Sequence, residues 1–457
     1  VKGKHKRSAL GTPIRADAGR VAPTPHPLAQ GAPDADPLQV RPSRHRFAGC
    51  LFGLCAAALV GVLAWKIRFL ETGWCSAWHL YSLNVTCYVC VLFALALRYK
   101  PRRERTFEPE LSIVLPVKNE EQVIGQAMSS CYEAAYPAEK RQVIVINDGS
   151  TDRTGAALEA LRTRYPDLEV VTWECNRGKI HGMVEGLKRA RGELVVFLDS
   201  DTVLERDALR AIAAEFHDPT VGAVSGHVDV LNAGVNFLTS AQAVWYFGAF
   251  RVFRAAEHLL SNVTCCPGAF CAYRAEYVAP VVEPWLQARV LGIPCTHGVD
   301  RGLTNQILRR HRVLYCSEAI AWTVAPDTWA EFLRQQVRWK KSWIRETIVA
   351  CSFMYRKPPC TALFFYWSVL LNLLSPVIVV RILVAQPLAT GTPPTLYLLS
   401  LALIGLLYGT FYGWQRGARP AVWLSRVPFG ILYMLMHLLL LPYAAATIRD
   451  ARWHTRE

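Results

Sequence analysis

Gly192-Glu193-Leu194-Val195-Val196-Phe197-Leu198-Asp199-Ser200-Asp201-Thr202 is the stretch whose reading decides the fold. Leu194 to Leu198 is an uninterrupted apolar run centred on Val-Val, the pattern of a strand buried on both faces. Two carboxylates one residue apart follow at once. Open α/β sheets bind ligands at the carboxyl ends of their strands. Asp199 and Asp201 at that edge are suited to a hard divalent cation, Mg2+ or Mn2+, which neutralises a diphosphate. Asp-x-Asp alone also reads as a polar turn after a strand, so its neighbours decide.

Upstream, strands alternate with helices. Strands are expected at 111–117, 142–146 and 169–173, and helices at 121–132, 154–164 and 179–191. The order gives an α/β fold with a doubly wound nucleotide-binding sheet. Glu120 follows the first strand and Asp148-Gly149-Ser150 the second. A carboxylate at such a strand end accepts hydrogen bonds from a ribose or a uracil ring. Asn176-Arg177-Gly178-Lys179 sets a flexible glycine beside two cations before a helix, a phosphate-binding arrangement. Together these motifs point to a nucleotide-sugar donor.

The ends of the chain read differently. Its 457 residues carry a net charge of +15, and 52% are hydrophobic; the mean hydropathy is +0.17. The basic residues flank apolar runs, which favours a lipid bilayer and anionic substrates over nucleic acid. The 14 cysteines are scattered without ligand-like spacing and read as small core hydrophobes in a reducing compartment. Residues 1–46 read as a disordered basic tail without a secretory signal. Apolar runs at 47–65 and 77–97 have basic flanks on both outer sides, so 47–98 is expected to form a transmembrane hairpin with cytosolic ends. Two more spans, 363–384 and 396–414, fall within a 358–415 unit. The run 429–448 contains Pro442 and is basic at both ends, so it reads as interfacial or re-entrant. The sequons at Asn84 and Asn262 fall in a span and in the cytosolic domain, where glycosylation is not expected.

Between these spans lie a cytosolic domain at 105–325 and an amphipathic, cation-rich helix at 326–357. Helical spacing puts Gln335, Arg338, Trp339 and Ser342 on one face and Leu333, Val337, Ile344 and Ile348 on another, as at a membrane–water boundary. A further helical region at 236–258 carries Phe237, Val244, Trp245, Phe247 and Phe250, a stripe read as core.

Asp148, the Asp199/Asp201 pair, Gly298-x-Asp300 and Gln335-x-x-Arg338-Trp339 occur in the order found in membrane-embedded processive β-glycosyltransferases. Over residues 47–457 the chain resembles this superfamily of cellulose, chitin and hyaluronan synthases. It looks most like hyaluronan synthases and next like the chitin-oligosaccharide synthases of rhizobia. The resemblance rests on Gly298-x-Asp300-Arg301-x-Leu303-Thr304-Asn305, on the run from Gln335 to Glu346 and on the ending Trp453-x-Thr455-Arg456.

The resemblance implies an inverting displacement with Asp300 as base and donor contacts from Glu120, Asp148, Lys179, Asp199 and Arg338. Asp199 and Asp201 would hold the metal. Gly268, Arg301, Gln335 and Trp339 would meet the acceptor, and Trp453, Thr455 and Arg456 would form a gating loop in 427–457. It further implies UDP-GlcNAc and/or UDP-GlcA as donors, a growing polysaccharide as product, and a multi-pass plasma-membrane location. The chain departs from the pattern at Val299, where the family has the first of two Asp residues, at Ala269-Phe270-Cys271 in the acceptor motif, and at His454 in place of the gating Gly. Other readings are a chitin-oligosaccharide or other β-glycan synthase, a non-processive transferase to a lipid acceptor, and a pseudoenzyme.

Overall fold

The computed structural model describes residues 42–71, 77–290, 292–294 and 298–449. Helices α1 (Pro42–Glu71) and α2 (Ala77–Arg98) lead into the α/β domain. Its first half runs β1 (Leu111–Val117), α3 (Ile124–Glu133), β2 (Arg141–Asp148), α4 (Thr154–Arg164), β3 (Glu169–Trp173), α5 (Lys179–Arg189) and β4 (Leu194–Leu198). The strand–helix alternation expected from the sequence is therefore present, and β1, β2, β3 and β4 pair in parallel. Every residue of β4 is buried, as an apolar run without alternation requires.

The second half departs from a purely parallel sheet. It comprises β5 (Thr202–Leu204), α6 (Ala208–Ala214), β6 (Val221–Val230), α7 (Phe237–Gly248), α8 (Ala255–Leu259) and β7 (Phe270–Arg274). Short helices α9 (Ala275–Val278) and α10 (Val282–Leu286) and a two-residue hairpin, β8 (Arg289–Val290) with β9 (Ile293–Pro294), precede α11 (Val299–Leu308) and β10 (Arg312–Thr323). The sheet order is β3-β2-β1-β4-β7-β6-β10-β5. Strand β7 runs antiparallel to both β4 and β6, and β5 antiparallel to β10. The mixed half follows from the turn at Asp199–Asp201, which leaves β4 for the far edge of the sheet. The helical region after β6 is continuous from Phe237 to Leu259, but its middle, Ala249–Arg254, widens into a π-helix.

Helix α12 (Trp329–Met354) begins with Thr328 accepting from the Glu331 amide, an N-cap. It is followed by α13 (Pro359–Val380), α14 (Gln386–Thr390), α15 (Thr395–Arg416), α16 (Pro420–Leu424) and α17 (Arg426–Ala446). Among the described residues four helical stretches are long and apolar enough to cross a membrane: Arg46–Arg68, His79–Arg98, Pro359–Thr390 and Tyr397–Arg416. They match the four expected spans. The fifth run is bent by 52° between Pro420–Tyr433 and Leu438–Ala446.

Packing among these helices rests on small residues that the sequence reading passed over. Gly405, Gly409 and Gly413 recur at four-residue spacing on α15. A Cβ on Gly413 would lie 2.7 Å from the Trp423 ring, and one on Gly405 3.1 Å from the Val427 backbone. The glycine face thus lets α16 and α17 close onto α15, as small residues do between membrane helices. The same helix is tied to the sheet: Arg416, in its last turn, forms an ion pair with Asp229 of β6. His227 beside it contacts the Tyr315 hydroxyl at 2.7 Å.

Candidate active site

The donor edge is assembled from loops at the carboxyl ends of β2 and β4. Gly149 takes φ +65°, and a Cβ there would stand 2.5 Å from the Asn176 amide, so only glycine fits this turn. The close approach brings Asp148 against the 176–178 loop. Its carboxylate accepts from the Arg177 amide at 2.6 Å and the Gly178 amide at 2.9 Å. Asp148 therefore fixes the loop that introduces Lys179, a role its strand-end position did not reveal. Glu120 lies beside this edge, with its amide donating to Thr154 Oγ1.

Lys179, the first residue of α5, reaches back across the sheet edge and pairs with Asp199. Burial alone lowers the pKa of this ammonium, but Asp199, Asp300 and Asp201 outweigh it, and the net shift is upward. Burial lowers the pKa of Arg338 of α12, while the same three carboxylates act on it in the opposite sense. Asp300 lies in the first turn of α11, with Oδ1 accepting from the Arg301 amide at 2.9 Å and the Cys265 thiol 3.9 Å from Oδ2. Gly298, not Asp300, occupies the cap position of this helix.

Two carboxylates from the turn after β4 and one from α11 are therefore grouped with two cations from α5 and α12. Among the described residues no group of three or more His, Cys, Asp and Glu converges as a metal site. The Asp199/Asp201 pair still fits a divalent cation, because Mg2+-like ions take one or two protein carboxylates and complete their shell with phosphate and water. The Lys179 ammonium on Asp199 shows that this edge attracts positive charge.

Asp300 is positioned by three neighbours of its helix. The Cys266 amide donates to Thr304 Oγ1 at 3.0 Å, and Tyr273 OH meets the same oxygen at 3.2 Å, fixing α11 to β7. Asn305 Nδ2 donates to Glu346 Oε2 at 2.8 Å, fixing it to α12. Gly298 is left-handed, at φ +73°, and any Cβ there would overlap the Ser342 hydroxyl. Val299, where the superfamily has a carboxylate, is 5% exposed. Its carbonyl accepts from Trp285 Nε1 at 2.9 Å. The side chain is core.

Gly268 stands against the donor pair: a Cβ there would lie 2.9 Å from Lys179 Nζ and 3.4 Å from Asp199 Oδ1. Arg301 lines a small cavity of about 60 Å3 together with Glu257, Glu346, Tyr88 of α2 and Ser368 of α13. The cavity thus runs from the helix bearing Asp300 to two of the apolar spans. Both of its carboxylates are engaged, Glu257 by Arg254 and Thr264, Glu346 by Asn305.

Trp339 has company the sequence did not announce. Trp245 lies 5.9 Å from it and Tyr246 6.1 Å, ring centre to ring centre, and Tyr433 is 5.1 Å from Trp245. Trp245 comes from the stripe read as core and Tyr246 is its neighbour in sequence; Val244, Phe247 and Phe250 of that stripe are buried as expected, whereas Phe237 is exposed. The half-burial of Trp245 and Tyr246 was the missing signal, and it depends on α12 and α17, which no local pattern reveals. Gln335, on the Arg338–Trp339 face, has a buried side-chain oxygen without a hydrogen-bond partner among the described residues. Leu333 and Ile348 of the opposite face are exposed, as the amphipathic reading required. Trp453, Thr455 and Arg456 lie outside the described residues, as does His454.

Comparison with known proteins agrees with the fold. The model of glycosyl transferase family 2 matches residues 112–281. A hyaluronan synthase from Streptococcus pyogenes is 28% identical over 384 residues, covering 83% of this chain and 90% of that protein. An N-acetylglucosaminyltransferase from Rhizobium meliloti is 29% identical over 397 residues, covering 85% and 92%. A mannosyltransferase from Pyrobaculum calidifontis, solved with GDP-Man and Mn2+, shares the fold with a TM-score of 0.59 at 20% identity, over 88% of this chain and all of that one. With its family 2 domain and its apolar helices on either side of it, the chain is a glycosyltransferase that resembles the membrane-embedded processive β-glycosyltransferases.

Proposed function

We propose that the protein is a processive, inverting β-glycosyltransferase of the hyaluronan synthase kind, polymerising UDP-GlcNAc and/or UDP-GlcA on the cytosolic side of the plasma membrane. The single observation that supports it most is the convergence of Asp199, Asp201 and Asp300 on Lys179 and Arg338. Inverting transfer needs one base for the attacking hydroxyl and positive charge for the departing diphosphate, and this cluster contains both.

In this reading Asp300 takes the proton from the acceptor hydroxyl as that oxygen bonds to the anomeric carbon and UDP leaves. Lys179 and Arg338 hold the diphosphate oxygens through charge-assisted hydrogen bonds. Asp199 and Asp201 would hold Mn2+ or Mg2+, which when bound offsets charge developing on the leaving group. Asp148 keeps the 176–178 loop closed under the phosphates, and Glu120 borders the nucleoside. Trp339 and Gln335 receive the acceptor, with Arg301 at the mouth of the cavity leading toward α2 and α13. The residues 427–457 then serve as interfacial helix and gate, and the spans enclose the path of the product.

The experiment is to incubate purified protein in lipid nanodiscs with Mn2+ and labelled UDP-GlcNAc, UDP-GlcA, or both, measuring UDP release and product size. UDP release with products growing past short oligomers is expected. UDP release with single-sugar addition to lipid removes processivity, and no release with any donor removes the catalytic reading.

A further inference from the structure

Span α15 meets the catalytic domain along one face. Tyr408, Tyr412 and Arg416 recur there at four-residue spacing. At Tyr408 the approach to α7 is so close that a Cβ on Gly248 would lie 2.8 Å from the phenol ring. The Tyr412 ring stands edge-on to Phe247 of α7 at 5.1 Å, and the Arg416 guanidinium lies 5.8 Å from the centre of the same Phe247 ring. Phe247 is buried. Arg416 also reaches the sheet, where it pairs with Asp229 of β6 and stands 3.3 Å from His227 Nε2. Both of these sheet residues are buried.

The far side of α7 carries the aromatic wall. Residues two apart on a helix point about 200° apart, so a contact that fixes Phe247 also fixes Trp245 on the opposite face. Trp245 and Tyr246 meet Trp339 of α12 there. The start of α7 is held by a capping box, in which Asn236 Oδ1 accepts from the Thr239 amide at 2.9 Å. Its other end runs straight into the π-helical turn Ala249–Arg254. A π turn accommodates one residue more than an α turn, so it is the point where the helix before it can change register. Phe247 and Gly248, the residues just before that turn, are the ones that α15 grips. A buried ion pair adds little net stability over an apolar contact of equal size. The Arg416–Asp229 pair is better accounted for by the position it fixes.

We propose that the Tyr408–Tyr412–Arg416 face of α15 positions the acceptor wall, with Arg416, held by Asp229, as the fixed point that sets Trp245 and Tyr246 against Trp339. These are positioning residues: they act on the acceptor through α7. The assignment rests on the glycosyltransferase reading above and deepens it, because binding of the acceptor sugar then depends on how a membrane span is seated on the catalytic domain. Donor binding, carried by β2, β4 and α5, is expected to be independent of that seat.

The test uses the full chain in phosphatidylcholine nanodiscs with Mn2+. Removing one partner alone would leave a buried charge, so the first variant combines Arg416→Gln with Asp229→Asn and removes both. The second, Gly248→Ala, keeps the pair, gains helix propensity and presses α7 away from Tyr408. Three quantities are read: calorimetric affinity for an N-acetylglucosamine tetramer as the acceptor probe, the KM for UDP-GlcNAc in UDP release with UDP-GlcA present, and amide hydrogen exchange over residues 237–259. In both variants the tetramer should bind roughly two- to tenfold more weakly, the worth of one displaced aromatic contact, with the KM for UDP-GlcNAc unchanged. Amides of residues 245–254 should exchange faster while those of β4 keep their protection. Unchanged tetramer affinity in both variants overturns the proposal. An equal loss of donor and tetramer affinity marks general loosening of the fold and also overturns it, as does a loss of tetramer affinity with exchange over 245–254 unaltered. Should the double variant not fold, Gly248→Ala alone decides. UDP release by the wild type is measured in the same preparation: its absence with both donors removes the glycosyltransferase reading, and tetramer affinity with hydrogen exchange still decides the coupling.

Discussion

At the donor edge, Asp199, Asp201 and Asp300 face Lys179 and Arg338, and each charge has an opposite within the cluster. At the aromatic wall of Trp245, Trp339 and Tyr433, Lys340 lies over the Tyr433 ring and Arg426 over the Phe429 ring, and no carboxylate among the described residues acts on either cation. A balanced cluster can exchange one partner for another, as when a diphosphate and its cation displace the Lys179–Asp199 pair. In the proposed function the first region serves turnover and the second receives the acceptor.

The sharpest way to break this comparison is Asp300→Asn. The variant keeps the size and the Arg301 contact but cannot accept a proton, so turnover should fall by ~10²–10⁴-fold with donor affinity almost unchanged. UDP release beside calorimetry of UDP-sugar binding checks it, and normal turnover would take the base away from Asp300. Next comes Asp201→Asn, or chelation of the metal. Donor binding should weaken by about 1.5–3 kcal/mol, the scale of a contact to a charged group, with the melting temperature preserved. Near-normal binding and turnover in Mn2+ would show that the carboxylate pair does not carry the cation.

A smaller effect is expected from Gly268→Ala. Its Cβ would press on Lys179 Nζ at 2.9 Å, a flexible terminus that can yield. Donor affinity should drop by a few-fold, about 1 kcal/mol as for mild overpacking, and affinity for an oligosaccharide should hold. The reverse pattern in the calorimeter would move Gly268 to the acceptor side of the comparison.

The donor edge was legible because it is local. Asp199 and Asp201 follow directly on their strand, Asp148 and Glu120 on theirs, and Lys179 opens a helix after a glycine. Asp300 and Arg338–Trp339 were legible as motifs. The aromatic wall was not, since Trp245 and Tyr246 come from a helix whose stripe looks like core and Tyr433 from a run whose apolar character hid it. Two details of the fold escaped for the same reason. The antiparallel strand β7 is set by partners on both sides, β4 and β6, and the Gly405–Gly409–Gly413 face has meaning only against Trp423 and Val427. The core position of Val299 likewise required α10, whose Trp285 packs on its backbone.

The contact of Gly298 with Ser342 leaves no room for even a methyl group between α11 and α12. The helix carrying Asp300 and the helix carrying Arg338, Trp339 and Lys340 are therefore geared together, with the Asn305–Glu346 hydrogen bond as a second tooth. Neither can slip along the other by a fraction of a turn without a clash. In the proposed cycle the distance from the base to the acceptor platform is then a fixed ruler, and advance by one sugar is a displacement of the polymer past it.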